Sequence, residues 1–268
     1  MHQPDKKTAL ITGGSGGIGL ALAKLFLSDN YRLVLVASPE DELLRAKAVL
    51  REFDPDVEVF LLAKDLTDSR AALDVYEFTV ENDLQIDVLV NCAGFGTYGF
   101  VDEIDIGREM DMLKLHICTF YYLTRLYLNE MIRRDQGQII NLSSITAFQP
   151  NPFMATYGAT KSFILQFSRA IRFELKERGS QVQVLAVCPT AVKDTGFQSN
   201  ACMENTGTFS CWLSTNADTV ARDTYNAMKR GQEVVIPGKR FSILHSLVGL
   251  LPTYLLMKIS RAHLKEKQ

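Results

Sequence analysis

The sequence has few cysteines, and nothing in their arrangement suggests a cross-link or a metal site. Its five cysteines, in 268 residues, include no CxxC pair and have no histidine at the spacing of a metal ligand. An odd number of cysteines in a chain of this length favours reduced thiols and a cytoplasmic protein. We therefore expect neither a disulfide framework nor a bound metal.

Charge bias, repeats and linkers are also missing. The formal net charge is −2 and no basic block occurs, which argues against a nucleic-acid partner. The short polar stretch 1–7 leaves no room for a signal peptide before the first apolar run. Without a repeat, a low-complexity run or a Pro/Gly/Ser linker, residues 1–268 are expected to form one domain.

Apolar runs alternate with stretches of helical period along the chain. Continuous apolar strands that alternate with helices predict a doubly wound, Rossmann-like α/β fold, with a parallel sheet of about seven strands and helices on both faces. The predicted strands are residues 8–12, 32–36, 57–62, 86–90, 138–142, 182–187 and 233–236. The predicted helices are 17–27, 40–53, 67–82, 108–134 and 156–178, with a further helix near 218.

A glycine-rich turn joins the first strand to the first helix. It reads Thr-Gly-Gly-Ser-Gly-Gly-Ile-Gly from Thr12 to Gly19. Glycine allows the backbone to approach a pyrophosphate, whose charge the N–H groups of a helix N-terminus can meet. A merely flexible turn is the alternative, but a buried strand before it and an amphipathic helix after it favour dinucleotide binding.

The spacing of this turn and three later motifs resemble the short-chain dehydrogenase/reductase family over about residues 8–192, with a helix and strand near 218–238. Residues 139–144 and 149–161 resemble a sub-group that includes ketoacyl and hydroxysteroid reductases. The later motifs are Asp65-Leu66, Asn91-Cys92-Ala93-Gly94 and Cys188-Pro189. The resemblance implies an oxidoreductase that transfers hydride between a nicotinamide cofactor and an apolar ketone or secondary alcohol. A redox-sensing cofactor-binding module is the alternative.

The resemblance also implies the catalytic groups. Tyr157 and Lys161 lie one helical turn apart, and Ser144 ends the preceding strand. The phenol would exchange a proton with the substrate oxygen, the lysine ammonium would lower the pKa of the phenol, and the serine would hold the substrate. Packing of Tyr157 as an ordinary helix aromatic is the alternative.

His116 aligns with the fourth catalytic position, where the family usually has asparagine. Histidine can donate and accept hydrogen bonds, so it could serve there, but a buried core histidine is equally compatible with the sequence. After Pro189 the usual glycine is Thr190, and the usual downstream threonine falls on Asp194, with Thr195 one place late.

The residues expected to contact the cofactor follow from the same motifs. Ala37 and Ser38, at the end of the second strand, supply neither the acid typical of NAD sites nor the arginine typical of NADP sites, which narrowly favours NADP and leaves NAD open. The predicted contacts are Gly13, Ser15, Gly17, Ile18, Gly19, Ser38, Asp65, Leu66, Asn91, Ala93, Gly94, Tyr157, Lys161, Pro189, Thr190 and Val192.

Two later segments are expected to shape the substrate site and the assembly. The polar, aperiodic stretch 191–216 predicts a lid over the substrate. Residues 239–268 predict an apolar helical extension whose run 241–259 packs in a subunit interface or substrate cleft. Peripheral membrane contact is the alternative, and a membrane span is less favoured. The resemblance implies a dimer or tetramer built through helices 108–134 and 156–178.

Overall fold

The computed structural model describes residues 6–203, 206, 208–209, 214–238 and 252–264. The strands are β1 (Thr8–Thr12), β2 (Arg32–Ala37), β3 (Val59–Ala63), β4 (Val88–Asn91), β5 (Gln138–Leu142), β6 (Gln183–Val187) and β7 (Val234–Val235). They form one sheet in the order β3-β2-β1-β4-β5-β6-β7, and every neighbouring pair is parallel. The predicted doubly wound fold is confirmed, and the strand order reverses between β1 and β4, where such folds bind their ligands.

Helices cover both faces of the sheet. They are α1 (Gly17–Ser28), α2 (Glu40–Phe53), α3 (Ala71–Glu81), α4 (Ile106–Leu113), α5 (Phe120–Arg133), α6 (Ala155–Glu177), α7 (Phe197–Asn200), α8 (Ala217–Lys229) and α9 (Thr253–Leu264). Successive residues of β2 point to opposite faces: Leu33 and Leu35 pack with α1, α2 and α8, whereas Val34 and Val36 pack with α3, α5 and α6. Two hydrophobic cores therefore pack against the opposite faces of the sheet and fix the position of its carboxyl edge.

The long helix predicted over 108–134 is interrupted. Between α4 and α5 the segment Lys114–Thr119 is π-helical. Its wider turn carries Leu115, His116 and Thr119 into the interior. Such turns inside α-helices occur frequently at functional sites, and this one lies beside the carboxyl end of β4.

Some predicted bounds are wrong for local reasons. The helix predicted from residue 67 begins at Ala71. Before it, the Asp65 carboxylate accepts the Thr67 N–H at 2.9 Å, and the Asp68 carboxylate accepts the Arg70 N–H at 3.0 Å. These turns satisfy the backbone outside the helix. The strands predicted at 57–62 and 86–90 begin two residues later in the structure, at Val59 and Val88. The strand predicted at 233–236 is only two residues long.

The apolar run 241–259 is described only in part, because residues 239–251 lie outside the described residues. Its described end belongs to α9, which continues to Leu264. Among the helices that the structure describes, none is long and apolar enough to cross a membrane.

Candidate active site

The glycine-rich turn places the start of α1 at the carboxyl edge of the sheet. Gly13 and Gly17 have φ values of +66° and +49°, which favour glycine. A Cβ on Gly19 would lie 2.2 Å from the main-chain oxygen of Gly13, so the turn can pack on the helix only without a side chain there. Gly16 caps α1 with no side-chain acceptor. The first N–H groups of the helix are therefore available to an anion.

A cavity of about 600 Å³ opens at this edge, within the usual size range of small-molecule sites. All the predicted cofactor contacts line it except Ser38, Asp65, Leu66 and Asn91. The amide of Asn91 instead donates to Thr124 Oγ1 at 3.0 Å and to Asn141 Oδ1 at 2.9 Å, which joins β4 to α5 and β5. Asn91 therefore joins elements that surround the cavity, and its own side chain does not line the cavity.

Ser144, Tyr157 and Lys161 meet on one wall of the cavity, and all three are buried. Ser144 follows β5, and its hydroxyl accepts the Thr146 N–H at 3.2 Å. The Lys161 ammonium donates to the main-chain oxygen of Leu142 at 3.0 Å and lies 5.6 Å from the centre of the Tyr157 ring. The spacing seen in the sequence thus brings an acid–base group and a cation together.

Burial controls the ionisation of this wall. It lowers the pKa of Lys161 to about 8 and raises the pKa of Tyr157 to about 12, against the opposing hydrogen bond of Ser144. The pKa of this phenol is therefore above its ordinary value in the protein alone, contrary to the expected lowering. The cost of removing the phenolate from water outweighs the hydrogen bond from Ser144.

His116 projects from the π-helical segment into the same region. It is buried, its Nδ1 lies 2.9 Å from Thr160 Oγ1, and its ring packs against those of Phe95 and Tyr157. Burial, followed by the Lys161 charge, lowers the pKa of this imidazole well below its ordinary value. His116 is therefore neutral at physiological pH and lies beside the cavity wall.

The segment after β6 places two threonine side chains at the cavity. Thr190 and Thr195 line the cavity, and the buried Thr190 hydroxyl has no partner among the described residues. The Asp194 carboxylate turns away and accepts the Ala217 N–H at 2.8 Å, at the start of α8. Thr195, which lies one position after the place of the family's threonine, thus faces the cavity.

Sequence reasoning missed two charged residues on α2. Glu42 and Arg45 line the cavity, where the Ser15 hydroxyl donates to the Glu42 carboxylate at 3.1 Å. Arg45 also pairs with Asp41 at 2.8 Å. Positions 42 and 45 are three residues apart and share a helix face. The sequence shows this shared face, but the approach of the face to the glycine-rich turn depends on how α2 packs.

Apolar side chains form the wall opposite the glycine-rich turn. Phe197, Met203 and Phe209, from the predicted lid 191–216, line it with Leu264 of α9 and Met154. Trp212, also in the predicted lid, lies outside the described residues. The cavity therefore has a polar end suited to a cofactor and an apolar end.

The chain is similar to known proteins. The family model for short chain dehydrogenases matches residues 7–205. The chain belongs to the short-chain dehydrogenase family. A probable NADP-dependent dehydrogenase of Haemophilus influenzae is 33% identical over 72% of this chain and 74% of its own length. A very-long-chain 3-oxoacyl-CoA reductase of Anas platyrhynchos is 31% identical over 66% of this chain, which spans only 57% of that relative.

A solved structure agrees with the fold. The short-chain dehydrogenase from Sphingobium yanoikuyae in complex with NADPH superposes with a TM-score of 0.78, at 28% identity, over 92% of this chain and 96% of that one. This short-chain dehydrogenase is an NAD(P)-dependent oxidoreductase. Its own residues fit the cofactor: no side chain caps the first N–H groups of α1, and the Thr190 hydroxyl, which has no partner among the described residues, lies at the cavity.

Proposed function

We propose that this short-chain dehydrogenase interconverts a bulky apolar ketone and its secondary alcohol, with NADP as the preferred cofactor. The observation that carries the proposal is the shared wall of Ser144, Tyr157 and Lys161, which faces an apolar pocket of the same cavity. An acid–base phenol beside a cation suits proton exchange with a carbonyl oxygen. The intact set disfavours a redox-sensing module without chemistry.

The roles of the residues follow from their positions. A bound nicotinamide supplies the hydride for reduction or accepts it in oxidation. In reduction, Ser144 donates a hydrogen bond to the carbonyl oxygen and Tyr157 transfers its phenolic proton to that oxygen. The Lys161 ammonium then stabilises the phenolate left behind, which lowers the energy of a state that burial alone disfavours. In oxidation, the same phenolate takes the hydroxyl proton back.

An apolar substrate is supported by the opposite wall. Met112, Met154, Met203 and Phe209 form a buried cluster against Tyr157. Flexible methionines and aromatic rings accommodate apolar shapes well. The relative from Anas platyrhynchos, named a very-long-chain 3-oxoacyl-CoA reductase, is consistent with a ketone on a long apolar chain.

A preference for NADP is supported by both the cavity and the relatives. The end of β2 has no acid that would repel a 2′-phosphate, and Arg45 brings a cation into the cavity. Glu42 opposes it with a negative charge, so the expected preference over NAD is modest. The relatives named for NADP and NADPH agree with this direction.

Replacement of Tyr157 with phenylalanine tests the proposal. Turnover of bulky ketones should fall by about a thousandfold or more, because the proton donor is lost while the ring still fills its place. Cofactor affinity, measured by NADPH fluorescence, should stay within about twofold. Tyr225→Phe, which removes a hydroxyl bonded to Asp29 away from the cavity, is the matched control. Near-normal turnover by Tyr157→Phe would exclude the phenol as the proton donor.

A further inference from the structure

The hydrogen bonds of Thr160 determine which nitrogen of His116 carries a proton. The Thr160 hydroxyl donates to the main-chain oxygen of Tyr157 at 2.8 Å. A hydroxyl has one proton, so its oxygen can only accept in its second contact, at 2.9 Å from His116 Nδ1. This arrangement of contacts favours a proton on Nδ1.

The other nitrogen is then a bare acceptor. His116 Nε2 is buried and has no hydrogen-bond partner within the part of the chain that the structure describes. A Cβ on Gly94 would lie 2.7 Å from Nε2 and 3.5 Å from the Lys161 nitrogen. Because Gly94 has no side chain, the space beside the acceptor His116 Nε2 and the Lys161 ammonium is left open.

The charges around this space favour that tautomer. Burial raises the pKa of the Cys92 and Cys188 thiols to about 12, and burial likewise keeps Tyr157 protonated. These groups are neutral at physiological pH. Two cations act on the thiols: Arg169 acts on Cys188, and Lys161 acts on both. Lys161 also lowers the pKa of the imidazole, which burial already depresses. A neutral ring that presents a lone pair to the space near Gly94 suits the nearby ammonium, whereas an N–H there would oppose the charge.

We propose that Thr160 is a positioning residue that holds His116 as the Nδ1–H tautomer, so that Nε2 accepts a hydrogen bond on the Lys161 side of the site, directly or through a water. This inference rests on the proposed function for its role in turnover, but not for its structural content. The acceptor stabilises the charged form of Lys161 against burial. His116 thereby offers a ring nitrogen as the acceptor, in place of the amide oxygen that an asparagine would offer.

Nitrogen-15 NMR of histidine-labelled protein tests the tautomer directly and needs no substrate. The chain has four histidines, and the His116→Asn spectrum identifies the signal of His116. The expected spectrum shows a protonated Nδ1 and an unprotonated Nε2. Thr160→Val should shift the ring toward the other tautomer, and Thr160→Ser should restore it. Ser162→Ala removes a hydroxyl of the same helix that is bonded only to backbone oxygens. It should leave the tautomer of His116 unchanged.

A pH profile tests the link to Lys161. Loss of a hydrogen bond to a charged group should move the alkaline limb of ketone reduction by about one pH unit to lower pH in Thr160→Val and His116→Leu. His116→Asn should keep the limb near its original position, because its amide oxygen also accepts.

Two results would overturn the inference: a protonated Nε2 in the unmodified protein, or a changed tautomer that leaves the limb in place. If no ketone is reduced at all, the proposed function fails. The NMR result then still decides the tautomer.

Discussion

The phenolic hydroxyl of Tyr98 donates a hydrogen bond of 2.6 Å to the main-chain oxygen of Leu264. Tyr98 belongs to the loop after β4, and Leu264 ends α9, so residues far apart in the sequence are joined at the cavity. The Leu264 side chain lines the apolar pocket. The C-terminal helix is therefore a wall of the proposed substrate site.

Tyr98→Phe should loosen this wall. We expect a several-fold rise in KM for a bulky apolar ketone and unchanged NADPH affinity, because the bond lies at the apolar end of the cavity. The free energy of unfolding should fall by about 1 kcal/mol, the usual value of one hydrogen bond. Steady-state kinetics and urea denaturation measure the two effects. Tyr254→Phe, on the exposed face of α9, should alter neither. An equal loss of cofactor affinity would contradict the assignment of the wall.

Arg45→Ala should reduce the preference for NADPH. Loss of the cation should weaken NADPH binding by about tenfold, if its contact with a phosphate contributes about 1.4 kcal/mol, and leave NADH binding unchanged. Fluorescence titration of both cofactors gives the ratio of affinities. Arg51→Ala, in the last turn of the same helix, is the control. Parallel changes for the two cofactors would remove Arg45 from phosphate recognition.

Glu42→Gln should act in the opposite sense. The neutral amide can still accept from Ser15, while the repulsion of a 2′-phosphate is removed. NADPH affinity should rise by about threefold at low salt, and the gain should shrink as salt screens the charge. The same titrations, repeated at two ionic strengths, measure it. A rise in NADH affinity alone would assign Glu42 a different role.

Lys161→Met should stabilise the fold at neutral pH while abolishing turnover. Because burial lowers the pKa of Lys161 to about 8, the unfolded chain binds more protons between pH 8 and 10.5. The stability of the native protein therefore rises with pH through that window and carries the full penalty below it. At pH 7 the variant should be more stable by about 2 kcal/mol, after loss of the bond to Leu142. Urea denaturation at pH 7 and 10 should show this advantage shrinking at the higher pH; an advantage that grows would contradict the sign.

Phe163→Asp should break the assembly that the family resemblance implies. Phe163 stacks on Phe167 at 5.7 Å and is 37% exposed, and Phe167 also contacts the ring of Tyr121 on α5, which is 39% exposed. An apolar aromatic surface of this kind is typical of an interface core. Light scattering should give a smaller species for this variant. Phe53→Asp, at the end of α2, where the side chain is 64% exposed, should retain the parent mass.

The sheet could be predicted because its strands are buried on both faces. The bounds of β1, α2 and β5 coincide with the predicted ones, since a strand with two cores is a continuous apolar run that polar turns end sharply. The positions of Tyr157 and Lys161 also followed from the sequence, because one helical turn fixes their shared face.

Other features depend on contacts between distant segments. Helical period does not distinguish an α-turn from a π-turn, so the interruption at His116 was not predicted. The Asn91 amide was expected at the cofactor, but its partners Thr124 and Asn141 come from other elements. The approach of Glu42 to Ser15 likewise arises only when α2 packs beside the glycine-rich turn.

Because of the π-helical segment between α4 and α5, the number of residues in this helix matters more than which residues they are. Each residue turns an α-helix by about 100°. Met112, before the segment, packs in the buried cluster with Met154 and Tyr157, while Leu123 and Met131, after it, pack against the sheet. Removal of one residue between 114 and 119 would restore a regular helix but rotate one group out of phase with the other. Point substitutions leave this phase intact, so a single deletion should do more harm here than most single replacements.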